Sequence, residues 1–378
     1  MKILVAGDLF IDNKHKGENM FDSSIIDLFK NVNFSIVNLE APITKNITTN
    51  KIIKTGPHLC SSEDTIIPFL EELEIDLVTL ANNHILDYGN IGIDDTLISL
   101  NENKIDYVGC GNSLKRASKP YTFNCDGLKI AVLNFAENEW SSADAENPGS
   151  NPLDIIENLK QIKLAKLNND KVICIIHGGH EYYNLPSPRI VKQYRFYAEN
   201  GVDAIIGHHP HCIGGGEIYM GVPIIYSLGN FTFTMNSKSD QWYKGLLVVL
   251  NIEKDENITF EIKPFCQERN TFFSAIAKGY ERNEILRDFD NYSQVISNSS
   301  KLNESWNSFV RENAQYYLGE FNPVRIFNNK YIISGLRKLK MDKIFLRKSF
   351  YKSFLNMMRC EAHRDSSISI LNNFISKK

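Results

Sequence analysis

The stretch Ala204-Ile205-Ile206-Gly207-His208-His209-Pro210-His211 brings three of the chain's nine histidines together directly after an apolar run. Val202 to Ile206 has the pattern of a short buried strand, so the histidines are expected in the loop that follows it. Ligands of open α/β sheets gather at the carboxyl ends of strands. A shared metal cation is the simplest reason to place imidazoles this close, since they repel one another once protonated, although such clusters also arise incidentally.

Working outward from this stretch, short β-rich runs alternate with helical patterns, which predicts a layered α/β architecture. The predicted strands are Ile3 to Gly7, Ser35 to Leu39, Leu77 to Ala81, Tyr107 to Gly109, Ile130 to Phe135, Val172 to Ile176, Val202 to Ile206 and Ile224 to Leu228. The predicted helices are Thr65 to Glu74, Ile91 to Asn103, Pro152 to Leu167 and Pro188 to Asn200. Asn151 is expected to cap the helix that begins at Pro152. Gly245 to Ile252 and Ile258 to Phe265 are expected to form a closing antiparallel pair.

The pattern changes after about residue 280. We expect residues 1–280 to form the α/β domain and residues 281–378 a mainly helical extension, with a Ser- and Asn-rich linker at Asn291 to Asn303. The segment from Arg325 to Lys378 has 13 Lys and Arg against 3 Asp and Glu, so it carries +10 while the rest of the chain carries −13. Lys330 to Phe354 mixes apolar and basic residues at helical spacing. This favours a basic, solvated helical face over one that contacts an anionic polymer or a membrane surface.

Composition excludes several other classes of protein. The seven cysteines are scattered, odd in number and without a CxxC pair, which indicates reduced thiols in a cytoplasmic setting. The pattern predicts no signal peptide and no transmembrane helix, so we expect a protein that is cytoplasmic or peripheral to the membrane. The acidic main domain argues against a specific nucleic-acid partner. A GxGxxG motif that opens a helix after the first strand, as dinucleotide binding requires, is missing.

Polar side chains follow five of the predicted strands at the point where each ends. These strand ends are Gly7-Asp8, Asn38-Leu39-Glu40, Asn82-Asn83-His84 with Asp87, His177 with Glu181, and the histidine cluster. Carboxylates, amides and imidazoles are the donors that hard and borderline divalent metals accept. Each motif alone has an ordinary explanation, such as Asp8 capping a turn or His177 being a satisfied core histidine. Five successive strand ends of this kind are much harder to explain without a metal.

The order of these motifs resembles the calcineurin-like metallophosphoesterases and, more closely, the CapA family, which is associated with poly-γ-glutamate and capsule synthesis. The segments that carry the resemblance are Asn38-Leu39-Glu40, Asn82-Asn83-His84 with Asp87 and Gly89, His177-Gly178-Gly179-His180-Glu181-Tyr182, Gly207-His208-His209-Pro210-His211 and Ser227-Leu228-Gly229-Asn230-Phe231. They span about residues 1–265. The resemblance implies a layered α/β/β/α metallophosphoesterase-like sandwich, and it does not cover the chain after about residue 280.

The resemblance also implies a site for divalent metal ions, two in number and drawn from Mn, Fe, Zn and Co. The implied ligands are Asp8 and His211 for the first metal and Asn83, His177 and His209 for the second. Glu40 stands where the superfamily has a bridging aspartate, and its extra methylene moves the carboxylate outward. His84 is then a catalytic residue that hydrogen-bonds the substrate oxyanion or protonates the leaving group.

One ligand of the superfamily pattern is missing. The Asp-x-His motif of the superfamily is replaced by Asp8-Leu9-Phe10, so the first metal is either weakly held or recruits His208 or Glu181. Glu181, Asp87 and Asn230 are otherwise expected to orient metal ligands from behind. Apart from that possible recruitment, His208 is the histidine of the cluster without an implied metal, and His180 is not expected to be a ligand.

Two functions follow as expectations. The first is a metal-dependent hydrolase that acts on a phosphoester or on an amide bond of a capsule-related anionic polymer. The second is a non-catalytic component of capsule or exopolymer assembly with a structural or vestigial metal site, which Phe10 and the basic extension favour. A contact between the basic tail and a membrane or a capsule assembly remains the minority expectation.

Overall fold

Two sheets form the centre of the protein, and they place five strand ends at one edge. The structure, a computed structural model, describes residues 1–46, 50–320 and 348–376, together with residues 331, 335, 338 and 339. The strands are β1 Lys2–Phe10, β2 Phe34–Leu39, β3 Leu77–Thr79, β4 Asp106–Val108, β5 Cys110–Gly111, β6 Tyr121–Cys125, β7 Leu128–Ala136, β8 Gly149–Ser150, β9 Lys171–His177, β10 Ala204–His208, β11 Gly216–Tyr219, β12 Val222–Ile225, β13 Asn230–Phe233, β14 Lys244–Asn251, β15 Thr259–Gln267 and β16 Ser274–Ile276.

The first sheet has eight strands and the second has six. The first runs β16-β15-β14-β1-β2-β3-β4, with β13 also paired to β1, and the second runs β11-β12-β10-β9-β7-β6. The strands β1 to β4 are parallel, as are β7, β9, β10 and β12. Parallel neighbours end at the same edge of a sheet, so their carboxyl ends converge.

Helices cover the outer faces of both sheets. They are α1 Ser23–Lys30, α2 Glu63–Glu72, α3 Gly89–Glu102, α4 Leu114–Ala117, α5 Ile155–Asn168, α6 Pro188–Glu199, α7 Gly279–Ile296, α8 Ser299–Glu320, α9 Lys348–Arg359 and α10 Glu361–Ser376. Within the part of the chain that the structure describes, no helix is long and apolar enough to cross a membrane.

Successive side chains along the strands point alternately to the two faces of each sheet, and this divides the hydrophobic core into layers. In β1, Ile3 and Val5 are buried between the two sheets, whereas Leu4 and Ala6 pack toward α1 and α2. β9 shows the same alternation, with one set of side chains between the sheets and the other against α5 and α6. Because successive strand residues point to opposite faces, nearly continuous apolar strands fill two layers at once. The predicted α/β/β/α sandwich is confirmed.

Several local predictions are wrong. α5 begins at Ile155, and its cap is Asp154, whose carboxylate accepts from the amides of Ile156 and Glu157. Asn151 is instead buried beside β7, where its side-chain amide donates to the backbone carbonyl of Asn134 at 3.0 Å. The expected linker at residues 291–303 is helical, and only two residues separate α7 from α8. β10 extends through His208, which was expected in the following loop.

The extension packs on the α/β domain through α8, α9 and α10. Glu361 accepts hydrogen bonds from the backbone amide (2.8 Å) and the side-chain amide (2.7 Å) of Asn138. Asp365 pairs with Arg189 of α6, and Trp306 of α8 packs against the ring of His180 at 4.9 Å. Most of the basic stretch predicted at residues 330–354 lies outside the described residues.

Candidate metal centre

The carboxyl ends of β1, β2, β9 and β10 bring the predicted site residues together. Asp8 pairs in register with Asn38 on the neighbouring strand, and His208 pairs with His177. Asp8 also pairs with Asn230 at the start of β13. These pairings explain why motifs far apart in sequence meet, since each is fixed to a strand that stops at the same edge.

Glu40 lies at the centre of the cluster and has an unusual environment. Its side chain is fully buried, and neither carboxylate oxygen has a hydrogen-bond partner among the described residues. Its Oε1 lies 3.5 Å from His177 Nε2 and 3.7 Å from His211 Nε2. Burial, followed by the nearby charge of Asp8, raises the pKa of Glu40 well above its ordinary value. Buried carboxylates without partners are costly, so this arrangement favours the binding of a cation beside Glu40.

One group of ligand atoms surrounds His177. Its Nε2 lies 3.1 Å from Asn83 Oδ1, 3.1 Å from His209 Nδ1 and 3.5 Å from Glu40 Oε1. Metal bonds of about 2.0–2.2 Å place neighbouring ligand atoms roughly 3.0–3.5 Å apart, so these separations fit one bound ion. Burial, then the adjacent His209, lowers the pKa of His177 well below its ordinary value, which keeps the imidazole neutral as metal binding requires.

A second group consists of Asp8, Glu40 and His211. One candidate ligand atom from each lies within 4.8 Å of the others, and Glu40 belongs to both groups. Asn230 accepts a hydrogen bond from His211 Nδ1 at 2.8 Å, and its own amide donates to the backbone carbonyl of Trp242 at 3.0 Å. Because Nδ1 is engaged with Asn230, His211 presents Nε2 toward Glu40.

Asp8 is held from several sides. The Asn38 amide donates to it at 2.7 Å, and the backbone N–H of His209 donates at 3.1 Å. Burial by itself raises the pKa of Asp8, but neighbouring His208, His177 and His211 lower it well below its ordinary range. Asp8 is therefore ionised whether or not a cation is bound.

The two residues that were uncertain in sequence have clear positions. Phe10 is buried in an apolar cluster and contacts Phe233, a ring that in turn packs against His211, so it supports a ligand from behind. His208 is buried, and its Nδ1 lies 3.3 Å from Asp8 Oδ1. His208 lies beside the first group but is not part of it.

The loop after β10 is conformationally strained at two of its histidines, both candidate ligands. His209 has φ 97° and His211 has φ 55°, both in the left-handed region that residues with a side chain rarely occupy. Strain of this kind persists when surrounding contacts impose it, and it concentrates at functional sites.

His84 faces the cluster from the loop after β3. Its Nδ1 lies 2.7 Å from Asp87 Oδ2, and its Nε2 lies 4.0 Å from Glu40 Oε1. Lys54, whose side chain is buried, contacts Asp87 and lies 3.0 Å from His84 Nδ1. Burial, and then the charge of Lys54, lowers the pKa of His84, while Asp87 opposes the shift. Asp87 therefore orients His84, which was not predicted to be a metal ligand.

Two glutamates and His180 border the cluster. Glu139 is buried with Oε1 3.7 Å from His209 Nε2, the ring atom that faces away from the ligand group. Glu181 is exposed, and its charge acts on His209 and His84. His180 points away from the cluster, because its Nε2 lies 2.8 Å from the backbone carbonyl of Ala362 in α10.

Sequence reasoning missed three contributors to the site. Asn38 was quoted within a motif but given no role, although it holds Asp8. Lys54 and Glu139 belong to loops with no recognisable motif. A lysine followed by Thr55-Gly56 and a glutamate just after a buried strand are weak signals, so only the folded structure identifies them.

A cavity of about 370 Å³ opens beside the cluster. Asn83, His84 and His209 lie on its inner side, together with Lys54 and Glu139. Its opposite wall is formed by residues of α8, α9 and α10. The cavity is open to solvent and lies next to the candidate ligands, so it gives a substrate a route to them.

Comparison with known proteins supports a specific family. The family model described as bacterial capsule synthesis protein PGA_cap matches residues 2–235. The capsule biosynthesis protein CapA of Bacillus anthracis is 36% identical over 211 residues, which cover 54% of this chain and 51% of the relative. The PGA biosynthesis protein CapA of Bacillus subtilis is 31% identical over 257 residues, which cover 66% of each. The chain thus spans about half to two thirds of the length of these relatives.

Among solved structures, a putative 5'-nucleotidase from Staphylococcus aureus is similar with a TM-score of 0.47 and 14% identity. The match covers 77% of this chain and 58% of the nucleotidase. The sheet order and the layering of this chain define its fold.

Proposed function

Because this chain belongs to the bacterial capsule synthesis family PGA_cap, we propose that it is a metal-dependent hydrolase that acts on a phosphoester or amide bond during synthesis of a capsular polymer such as poly-γ-glutamate. The observation that carries the proposal is the fully buried Glu40 carboxylate, which has no hydrogen-bond partner within the described part of the chain and belongs to two groups of potential ligands. The proposed ligands are Asp8, Glu40 and His211 on one side and Glu40, Asn83, His177 and His209 on the other.

The surrounding residues support this proposal by holding each ligand in one orientation. Divalent ions bound there, such as Mn, Fe, Zn or Co, supply Lewis acidity and lower the pKa of a water molecule. Asn230 behind His211 and Glu139 behind His209 fix the ring atoms that face Glu40 and His177. The donors mix carboxylate, amide and imidazole, which suits borderline divalent ions.

His84 is the proposed catalytic residue. Asp87 holds its Nδ1, so Nε2 is the atom left to face a substrate in the cavity. An imidazole in this position donates to the oxygen that gains negative charge or protonates the leaving group. Its pKa is lowered by burial and by Lys54, so the protonated form releases its proton readily.

Phe10 favours a second candidate function, that of a non-catalytic component of capsule assembly. The position that carries a ligand histidine in the superfamily pattern is here a buried phenylalanine packed on Phe233. A site with one ligand fewer on the first metal is suited to a structural ion as well as to turnover.

Metal analysis followed by turnover assays separates these functions. We expect about two ions per chain after loading with manganese, cobalt or zinc, and turnover on a phosphodiester, a phosphomonoester or a γ-glutamyl amide. His84→Ala should keep the metal and lose roughly 100-fold or more of the turnover, because general acid catalysis contributes about 10²–10⁴. Stoichiometric metal with no turnover in any substrate class supports the non-catalytic function.

His15→Ala is the matched control. His15 is also buried but pairs with Glu18 at 2.8 Å, outside the cluster, so both metal content and turnover should be unchanged. A protein that binds no metal after loading contradicts the proposal as a whole. If His84→Ala turns over like the parent, the role of His84 is wrong.

A further inference from the structure

The helices of the extension complete the cavity beside the metal centre. α8, α9 and α10 lie outside the matched residues 2–235, yet they form a wall of the same cavity that holds Asn83, His84 and His209. The residues of this wall include Asn313, Tyr317 and His363. A substrate that reaches the candidate ligands therefore also contacts side chains of the extension.

This wall is fixed to the α/β domain next to the cavity. Glu361 holds the backbone and the side chain of Asn138, and Arg359 donates to the backbone carbonyl of Glu139 at 2.9 Å. The Arg359 guanidinium also lies 5.2 Å from the ring centroid of Trp140, another cavity residue. Several polar contacts around a cavity preorganise its wall for binding.

His363 is a polar residue of this wall. Its side chain is half-buried, and its Nδ1 lies 3.0 Å from the hydroxyl of Tyr317. In the described residues, no hydrogen bond engages Nε2. Burial lowers the pKa of His363 despite the nearby charge of Glu181, so the ring is neutral near pH 7. The Tyr317 hydroxyl can donate to Nδ1, and a neutral ring that accepts at Nδ1 carries its proton on Nε2.

We propose that His363 is a specificity-determining residue that donates from Nε2 to an oxygen acceptor, a carboxylate or a carbonyl, on the part of the substrate remote from the cleaved bond. The inference rests on the proposed function for the cleaved end of the substrate. Tyr317 is a positioning residue that fixes the ring. The neutral amide and aromatic lining of this wall distinguishes it from the basic surface predicted for the extension.

Paired ligands test the proposal by calorimetry on the manganese-loaded full chain. One series consists of alkyl phosphates of increasing length, and the other of carboxyalkyl phosphates of the same lengths. In both series the phosphate is expected to bind at the metal centre. The ratio of the affinities of two ligands of equal length, one with and one without the carboxylate, therefore reports the contribution of the remote carboxylate alone. We expect the parent protein to prefer the carboxylate by about tenfold at the length that reaches His363, as for a hydrogen bond to a charged group.

Variants assign that preference to His363. His363→Ala should abolish it without changing the affinity for inorganic phosphate, and His363→Gln should restore part of it, because glutamine keeps an N–H donor. Tyr317→Phe should reduce it by a smaller factor. Asn313→Ala is the matched control, since Asn313 lines the same wall but donates to the carbonyl of Phe309 in its own helix at 2.9 Å.

Three results overturn the inference. The first is a parent protein without a carboxylate preference at any length. The second is a preference that survives His363→Ala, and the third is equal loss in Asn313→Ala. If the loaded parent binds no phosphate of either series, the metal centre proposed above fails as well. If His363→Ala loses the carboxylate preference but still binds inorganic phosphate, the role of His363 is supported independently of the metal centre.

Discussion

The matched region, residues 2–235, and the extension helices α8, α9 and α10 contribute to one cavity in different ways. The matched region presents its polar side chains at strand ends, in short motifs such as Asn38-Leu39-Glu40 and Gly207 to His211. The extension presents single side chains from helix faces, at positions such as Asn313, Tyr317 and His363, with no motif around them.

This difference separates chemistry from recognition. Metal ligands must meet within a few ångströms, so they are restricted to strand ends that a parallel sheet already brings together. A recognition wall has only to face the cavity, so a helix can supply it from any position along its length. We therefore expect substitutions in the two regions to change different measurable properties.

The largest effect is expected for Glu40→Gln. The variant keeps the size of the side chain and removes the charge that both ligand groups share, so metal content should fall to one ion or fewer and turnover by about 100-fold or more. Metal-free Glu40→Gln should nevertheless be more stable than the metal-free parent, because it removes a buried carboxylate without partners. Elemental analysis and thermal unfolding with and without metal measure both effects.

Docking of the extension should survive this substitution. Hydrogen exchange in α8 and α10 is the check, and Glu18→Gln, which alters an exposed partner of His15, is the matched control. A metal-free variant less stable than the parent would show that Glu40 has a partner in solution.

The next effect concerns the contact between the two regions and depends on pH. His180 is buried against Trp306 and Phe309, and its pKa is lowered to about 3 by burial, with Arg189 and His363 adding to the shift and the Ala362 carbonyl opposing it. The folded pKa lies below the unfolded value of about 6.5, so stability is complete above that value and is lost as pH falls toward 3. Between pH 7 and pH 5 the loss from this residue is on the order of 2 kcal/mol.

His180→Gln isolates that contribution. Glutamine keeps an N–H donor for the Ala362 carbonyl but does not titrate, so the variant should lose less stability than the parent between pH 7 and pH 5. Chemical unfolding at the two pH values gives the difference, and metal content at pH 7 should be unchanged. Parallel losses in both proteins would mean that His180 does not remain neutral in the folded state.

The sequence allowed the fold and the ligand cluster to be predicted because both depend on local patterns. Apolar runs identify β1, β2, β9 and β10, and the polar residues that end them lie near one another once the sheet is parallel. The register of β13 with β1 also places Asn230 beside Asp8. The assignment of these residues as metal ligands stays a prediction.

Other features depend on tertiary contacts that leave no local pattern. The Ser- and Asn-rich residues 291–303 have the composition of a linker, but packing of α7 and α8 on the domain overrides that preference and keeps them helical. Lys54 is buried by its contacts with Asp87 and His84, which no spacing reveals. His363 is more than a hundred residues from any ligand in sequence, and only the docking of α10 brings it to the cavity.

The smallest effect is expected for Asn230→Ala, which distinguishes the two groups of candidate ligands within the matched region. Asn230→Ala removes the acceptor for His211 Nδ1, so His211 loses its fixed orientation and the group of Asp8, Glu40 and His211 should bind its ion about tenfold more weakly. Within the described residues, no hydrogen bond joins Asn230 to the group around His177, so the affinity of that group for its ion should be unchanged. Asn230→Asp keeps an oxygen acceptor at the same place and should restore most of the loss. Stepwise metal titration followed by calorimetry resolves the two affinities. Equal weakening of the affinity for both ions would show that the two groups act as one coupled centre. Glu40, which belongs to both groups, would then transmit the change from His211 to His177.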